Sequence, residues 1–430
     1  MNKVVISNRI YIPADAKRQE LIDKELTYLI PNYNPMDPPT VIKNMARISS
    51  KLVSVPSGRI DLIPEGAEII DKRTLVPEIF PKFKFDLRDS QAAIHNDITD
   101  NAMINALPGW GKTFIALAIA EKLQQKTLIV VHTLPLRNQW VSEVKKCFGF
   151  QPGIIGSGKF DIKPKIVIAN VQSLKKYVAE LRETFGLLVL DECHHTSAPT
   201  FSNIVDKSCA RYKIGLSGTL KRKDGKHVIF NDYFGFNRYV PPKENVMTPR
   251  VQVIKSDIRF PDSNKIPWAK RVNAVAYDEK YQHMVAMLAS TYAAKGHKVL
   301  VISDRVQFLK RCASLTGNNA VCVTGELADG ERQVQLQKIK NDEADILYGS
   351  QNIFSEGISL NELSCLILGS PINNEPLLVQ IIGRVIRKLE EKQQPLIVDI
   401  NFKGNTAARQ AKARMGVYIR EGYEMNTISV

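Results

Sequence analysis

The chain has 430 residues, 59 of them Lys or Arg against 44 Asp or Glu, for a formal charge of +15 with His neutral. At 44% hydrophobic residues it can bury real cores, with room for two or three domains of roughly 150 residues each. The cationic excess favours a polyanionic partner such as nucleic acid without requiring one. Cys147, Cys193, Cys209, Cys312, Cys322 and Cys365 form no Cys-x-x-Cys pair, which argues for reduced thiols and against a structural zinc site. No apolar run approaches the roughly 18 residues of a membrane helix and no cleavable signal is evident, so a soluble, cytoplasmic protein is expected.

Residues 1–84 are expected to form a small α+β accessory domain. It has strand-like runs at 4–6 and 10–12, a helical stretch near 16–29 and a proline-rich link at 31–39. Alternating apolar residues at 51–55 and 59–63 flank Pro56-Ser57-Gly58, the pattern of a β-hairpin. Arg59, beside that turn, is a candidate nucleic-acid contact. The segment is only mildly basic, so a packing role is the other reading.

From Phe85 to about 245, short apolar runs alternate with helical ones, as in a parallel sheet wrapped by helices. Strands are expected at 102–105, 127–132, 166–169, 187–190 and 212–216, and chemistry beyond their carboxyl ends. After the first comes Asn105-Ala106-Leu107-Pro108-Gly109-Trp110-Gly111-Lys112-Thr113, opening the apolar helical run 114–123. A Gly-rich turn at a helix start aims unpaired N–H groups and the positive end of the helix dipole at one spot, which suits phosphate. Lys112 would reach the β- and γ-phosphates, and the Thr113 hydroxyl would hold Mg²⁺. Ala106 stands where the full pattern has its first glycine, so an ordinary Gly-rich turn is the alternative. Trp110 is expected to point outward.

The apolar run 187–190 ends in Asp191-Glu192-Cys193-His194. One carboxylate, Asp191, can share the Mg²⁺ with Thr113; the next, Glu192, can polarise a water for attack on the γ-phosphate. A strand-end acidic pair capping the next helix would look the same. Cys193-His194-His195 is not a zinc site, because adjacent side chains diverge and no other ligand cluster accompanies them. Ser217-Gly218-Thr219 follows another apolar strand. The basic run 221–226, with Arg222 and Lys223, precedes Phe230, Tyr233, Phe234, Phe236 and Tyr239. Basic residues interleaved with aromatics suit a phosphate backbone with unstacked bases, and a solvated loop before a packed segment explains them equally.

After a connecting run to about Arg271, a second alternating pattern covers the rest of 246–430 without another phosphate loop. A helix is expected at 279–294 and strands at 298–302, 320–323, 346–348, 365–368 and 396–399. On a helix through 380–387, Gln380, Gly383, Arg384 and Arg387 share one face while Ile382 and Ile386 can bury. Two permanently charged guanidinium groups on one face suit an arginine finger. Surface pairing with Glu390 or Glu391 is the alternative.

Together these stretches resemble superfamily 2 helicases over residues 85–430. Leu87-Arg88-Asp-Ser-Gln91 is similar to the glutamine motif that reads adenine, and 106–113 to motif I. His132-Thr-Leu-Pro135-Leu-Arg137-Asn-Gln139-Trp140 is similar to motif Ia, and Asn170-Val-Gln172-Ser173-Leu174 to the next strand-contacting motif. Asp191 to His194 resembles motif II, Ser217 to Thr219 motif III, Val301-Ile-Ser-Asp304-Arg305 motif IV and Gln380 to Arg387 motif VI. Ser355-Glu356-Gly357-Ile358-Ser359 keeps the glycine of motif V but not its aspartate, so the nucleotide contact there rests on Gly357. The motif II box, residues 218–225 and residues 348–359 look more like phage UvsW-type and XPB-type DNA helicases than DEAD-box RNA helicases.

The resemblance implies an α/β fold of two RecA-like parallel-sheet lobes, 85–245 and 246–430, behind the small α+β N-terminal domain. It implies ATP and Mg²⁺ as cofactors. Lys112, Asp191, Glu192, Arg384 and Arg387 would be catalytic, with Arg88, Gln91, Pro108, Gly109, Trp110, Gly111, Thr113, Gly357 and Gln380 lining the nucleotide. Pro135, Arg137, Gln172, Ser173, Arg222, Lys223 and Arg305 would meet the strand. A monomer working 3′ to 5′ on single-stranded and branched DNA is implied, beside recombination or replication proteins, in the host cytoplasm if the chain is of phage origin. An RNA helicase, a duplex translocase and a non-catalytic binding protein of this fold stay open.

Overall fold

A computed structural model of the chain describes residues 3–30, 38–193, 198–218, 229–263, 265–355 and 360–429. It divides into two compact units, Met1–Pro242 and Lys243–Val430. Among the described residues no helix is long and apolar enough to cross a membrane.

The first unit is built on an eight-stranded sheet. Its order is Lys159–Phe160, Gly153–Gly156, Ile166–Asn170, Thr127–Val131, Leu187–Leu190, Tyr212–Ser217, Ala102–Asn105 and Arg238–Tyr239. All neighbours run parallel except the first pair. The central runs are apolar without a break because both faces are covered. Leu187 and Val189 feed the core on one face, and Leu188 and Leu190 that on the other.

The segment 1–84 lies within this first unit and has its own five-stranded sheet, ordered Ala46–Ser49, Leu52–Pro56, Arg9–Pro13, Lys3–Ile6 and Glu68–Asp71. Val4, Ile10, Ile12, Val53 and Val55 form its small core. The hairpin expected over 51–63 is not there. Leu52–Pro56 instead pairs with the preceding strand Ala46–Ser49, and Ile60–Leu62 is a 3₁₀ turn. The cause is a close backbone approach: a Cβ on Gly58 would lie 2.5 Å from Gly235 N and 2.7 Å from Asp232 O. Pro56-Ser57-Gly58 is therefore a docking point rather than a reversal, and Gly58 N donates to Asp232 O at 2.8 Å. The expected link at 31–39 lies mostly outside the described residues.

The second unit holds a seven-stranded, all-parallel sheet ordered Ala320–Val323, Ile346–Ser350, Val299–Ser303, Cys365–Leu368, Leu396–Lys403, Arg250–Arg259 and Glu424–Ser429. Leu300 and Ile302 face one core, Val299 and Val301 the other. The run before Arg271, read from sequence as a connection, contains Arg250–Arg259, a ten-residue strand inside this sheet. The helix Glu279–Ala294 has the expected bounds and is capped by Asp278, which accepts from Tyr281 N.

Candidate nucleotide and strand sites

The strand Ala102–Asn105 leads through the Gly-rich loop into the helix Lys112–Leu123. Gly109 and Gly111 sit at φ 91° and 98°, left-handed conformations that glycine alone adopts cheaply. No side chain caps Gly111, so the first N–H groups of the helix stay available to an anion. A Cβ on Gly111 would come within 2.6 Å of Gln91 Nε2, because the glutamine lies directly against the loop.

Trp110 does not point outward. It is 2% exposed and belongs to the core beneath the loop, where its indole donates to Ser90 Oγ at 3.2 Å. A large apolar ring beside a packed helix gains more from burial than from solvent. Its carbonyl accepts from Gln91 Nε2 at 3.1 Å and from Arg88 Nη2, while Gln91 Oε1 takes the Arg88 N–H at 3.1 Å. Arg88 and Gln91 thus brace the loop from outside, and Trp110 holds it from within rather than contacting a ligand by its ring.

Lys112 is buried, and its Nζ donates to Ala106 O at 2.9 Å and lies 3.8 Å from Glu192 Oε1. Glu192 Oε2 accepts from Gly218 N at 3.3 Å. Three sequence-distant stretches therefore meet at one point beyond the carboxyl ends of adjacent parallel strands, where ligands of such sheets bind. Glu192 has φ 46°, a strained conformation for a non-glycine residue of the kind that clusters at functional sites.

Asp191 is 5% exposed. Its Oδ1 accepts from Glu192 N at 2.9 Å, and its Oδ2 from the indole of Trp140 at 2.6 Å. Burial, reinforced by the Glu192 charge, pushes its carboxyl well above the ordinary range. A divalent cation would reverse that penalty, so the Asp191 carboxylate is an oxygen donor of the kind Mg²⁺ takes. The sequence assigns Trp140 no role of its own. Its place in the motif Ia stretch was visible, but a hydrogen bond across 51 residues leaves no local pattern.

Two further candidate segments come together at the carboxyl ends of Thr127–Val131 and Ile166–Asn170. Arg137 Nη1 donates to Asn170 Oδ1 at 3.1 Å and to Ser157 Oγ at 3.0 Å, and Ser173 lies beside them. Pro135 and Gln172 are exposed on the same rim. Arg59 does not belong with these residues. Its side chain is 6% exposed and is held by Asp61 at 2.8 Å, Asp232 at 3.3 Å and Glu25, so it stabilises the docking of 1–84 and offers nothing to a strand.

In the second unit the helix Glu375–Val385 carries the buried Gln380 and, in its last turn, Arg384. The expected single face does not extend to Arg387. Met247 N donates to Ile386 O at 2.7 Å and Lys388 N to Asn245 O at 2.9 Å, and Arg387 forms a bridge with Val246, which draws it out of the helix. Arg387 Nη1 donates to Asn361 Oδ1 at 3.2 Å. Burial, together with the Arg384 guanidinium, pushes Arg387 down to about 10. Arg305 stands at the N-terminus of the helix Val306–Thr316 without a capping side-chain bond and pairs with Asp304 at 3.1 Å. His194, His195, Arg222, Lys223 and Gly357 lie outside the described residues.

The family described as type III restriction enzyme, res subunit, matches residues 84–222, and the helicase conserved C-terminal domain matches 279–388. The chain is 42% identical to the probable helicase D10 of Escherichia phage T5, over 99% of this chain and 96% of that protein. It is 24% identical to the DNA 3′-5′ translocase XPB2 of Sulfurisphaera tokodaii, over 77% of this chain and 85% of that one. With the ATP-dependent DNA helicase uvsW of Enterobacteria phage T4 it shares 25% identity, over 75% of this chain and 69% of the relative.

Proposed function

The chain belongs to the superfamily 2 helicases, ATP-dependent enzymes acting on nucleic acid, and on that premise we propose that it is a DNA helicase or translocase that moves 3′ to 5′ and remodels forks and junctions. The observation that carries the reading is the meeting of Lys112, Glu192 and Gly218 around a loop whose helix N-terminus is open. DNA as the substrate is supported by the relatives named as DNA enzymes, and the polarity by the name of one of them. Work on branched DNA rests on the resemblance.

Lys112 is shared between Ala106 O and Glu192. A γ-phosphate offers Lys112 a stronger, doubly charged partner, so its arrival releases Glu192. The Glu192 carboxylate then orients a water and takes its proton as the water oxygen bonds to the γ-phosphorus. The bond from that phosphorus to the ADP oxygen breaks, leaving ADP and phosphate. Mg²⁺, held by Thr113 and Asp191, would neutralise phosphate charge. Arg384 and Arg387 stabilise the charge on the transferring group. Pro135, Arg137, Gln172, Ser173, Arg222, Lys223 and Arg305 track the strand, and the family resemblance assigns Gly357 and Gln380 to the nucleotide.

The test is ATP turnover by the full chain with single-stranded DNA, RNA, duplex or forked DNA. Stimulation of at least tenfold by single-stranded and forked DNA, and little by RNA, is expected. Equal or greater stimulation by RNA would replace the reading with an RNA helicase, and stimulation by duplex alone with a duplex translocase.

A further inference from the structure

Trp140 lies on the helix Leu134–Phe148, whose partly exposed first turn carries Pro135 and Arg137. Thr133 caps that turn by accepting from Leu136 N. Three residues beyond Arg137, about 4.5 Å along the axis, the same helix buries the Trp140 ring completely. A buried indole usually finds an acceptor. Here the acceptor is a carboxylate oxygen of Asp191, at 2.6 Å. The other oxygen is held by Glu192 N at 2.9 Å. Two donors on two oxygens fix the plane of the carboxylate, one from its own strand end and one from the helix that fronts the strand rim.

We propose that Trp140 is the positioning residue through which the strand-facing helix and the metal-binding carboxylate sense one another. The inference rests on the proposed reading that Asp191 serves a nucleotide and Arg137 a strand. A strand pulling on the first turn of Leu134–Phe148 moves the indole with it, because the helix is rigid between Arg137 and Trp140. The indole in turn reorients Asp191 by a charge-assisted hydrogen bond, which is short and directional. Such coupling is reciprocal, so a nucleotide with Mg²⁺ must change strand affinity by the same factor as the strand changes nucleotide affinity.

The test compares the Kd of the full chain for oligo(dT), with and without a non-hydrolysable ATP analogue and Mg²⁺. In the native protein the two values should differ by roughly tenfold, within the usual range of such couplings. In Trp140→Phe, which keeps an aromatic ring and loses the N–H, the ratio should fall below about threefold. Val144→Ala trims another buried position of the same helix and leaves the indole N–H in place; it should lower Tm and keep the native ratio. If Trp140→Phe retains the native ratio, or if both variants lose it in proportion to their loss of Tm, the indole is packing alone and the proposal is overturned.

Should Trp140→Phe fail to fold, the native protein supplies the readout through ¹⁵N-labelled indole resonances, assigned with Trp110→Phe and Trp268→Phe. The Trp140 signal should shift on adding oligo(dT) alone and again with the analogue and Mg²⁺. A signal unmoved by oligo(dT) that is demonstrably bound overturns the proposal. A native chain that binds neither oligo(dT) nor the analogue overturns the functional reading itself, and the coupling falls with it. One that binds both without coupling overturns only the role of Trp140.

Discussion

Lys112, Glu192 and Arg59 are all charged side chains drawn largely out of water, and their partners decide what each can do. Lys112 faces the phosphate loop and Glu192. Lys112→Ala should lower ATP turnover at least 100-fold while oligo(dT) binding without nucleotide persists, as paired turnover and anisotropy assays would record. Glu192→Gln should bind ATP and stall, because the amide keeps the shape but cannot accept the proton of the water; normal turnover would remove Glu192 from that role. Arg59 behaves differently, since its guanidinium compensates the buried Asp232, itself 1% exposed. Arg59→Ala strands that charge, and breaking such a buried pair costs about 3 kcal/mol. Thermal melts should show the loss, and oligo(dT) affinity measured well below Tm should stay within twofold. A selective loss of DNA affinity with Tm unchanged would return Arg59 to the strand.

At the scale of elements, the helix Glu375–Val385 and the bridge that follows it place Arg384 and Arg387 on different local structures. A guanidinium acting on the transition state is worth about 10³ to 10⁵ in rate. Arg387→Ala should therefore lower turnover by at least 100-fold with ATP affinity within about threefold, read from kcat and from analogue binding separately. Unchanged turnover would assign Arg387 to the contact with Asn361. The strands at 102–105, 187–190, 320–323 and 365–368 were legible to the residue because buried parallel strands are unbroken apolar runs closed by polar residues. Arg250–Arg259 escaped because Lys255 and Asp257 interrupt its apolar run toward the carboxyl end. The end of the motif VI helix and the hairpin at 51–63 failed for one shared reason: residues 245–247 and 231–235, distant in sequence, captured the backbone. Within the candidate site, the glycines, Lys112 and the acidic pair could be read from spacing and residue type. The Trp140 bond and the burial of Trp110 could not, being tertiary contacts.

At the scale of the molecule, residues 1–84 are bound into the first unit by polar groups that leave no cheap way to remove them. Arg9 pairs with Asp206 at 2.8 Å, Asn44 and Tyr28 donate to Asp232 at 2.7 and 2.9 Å, and Lys213 Nζ donates to Ser57 Oγ at 2.9 Å. Burial already pushes Lys213 down to about 8. A chain starting at Lys82 loses every one of these partners, so it should melt well below the full protein, with ATPase and junction processing falling together. A stable truncated chain that keeps DNA-stimulated ATPase and loses only junction processing would instead make 1–84 a branch-reading module.

ATP hydrolysis at the Lys112–Glu192 site is expected to drive movement along DNA. That expectation is tested most directly by following a labelled strand and a biotin-bound streptavidin block on DNA with a 3′ or a 5′ single-stranded tail. The full chain should release the strand or the block with ATP and Mg²⁺ from the 3′-tailed substrate, and neither with the non-hydrolysable analogue nor in Lys112→Ala. Full DNA-stimulated hydrolysis with strand and block both left in place on either substrate would contradict it.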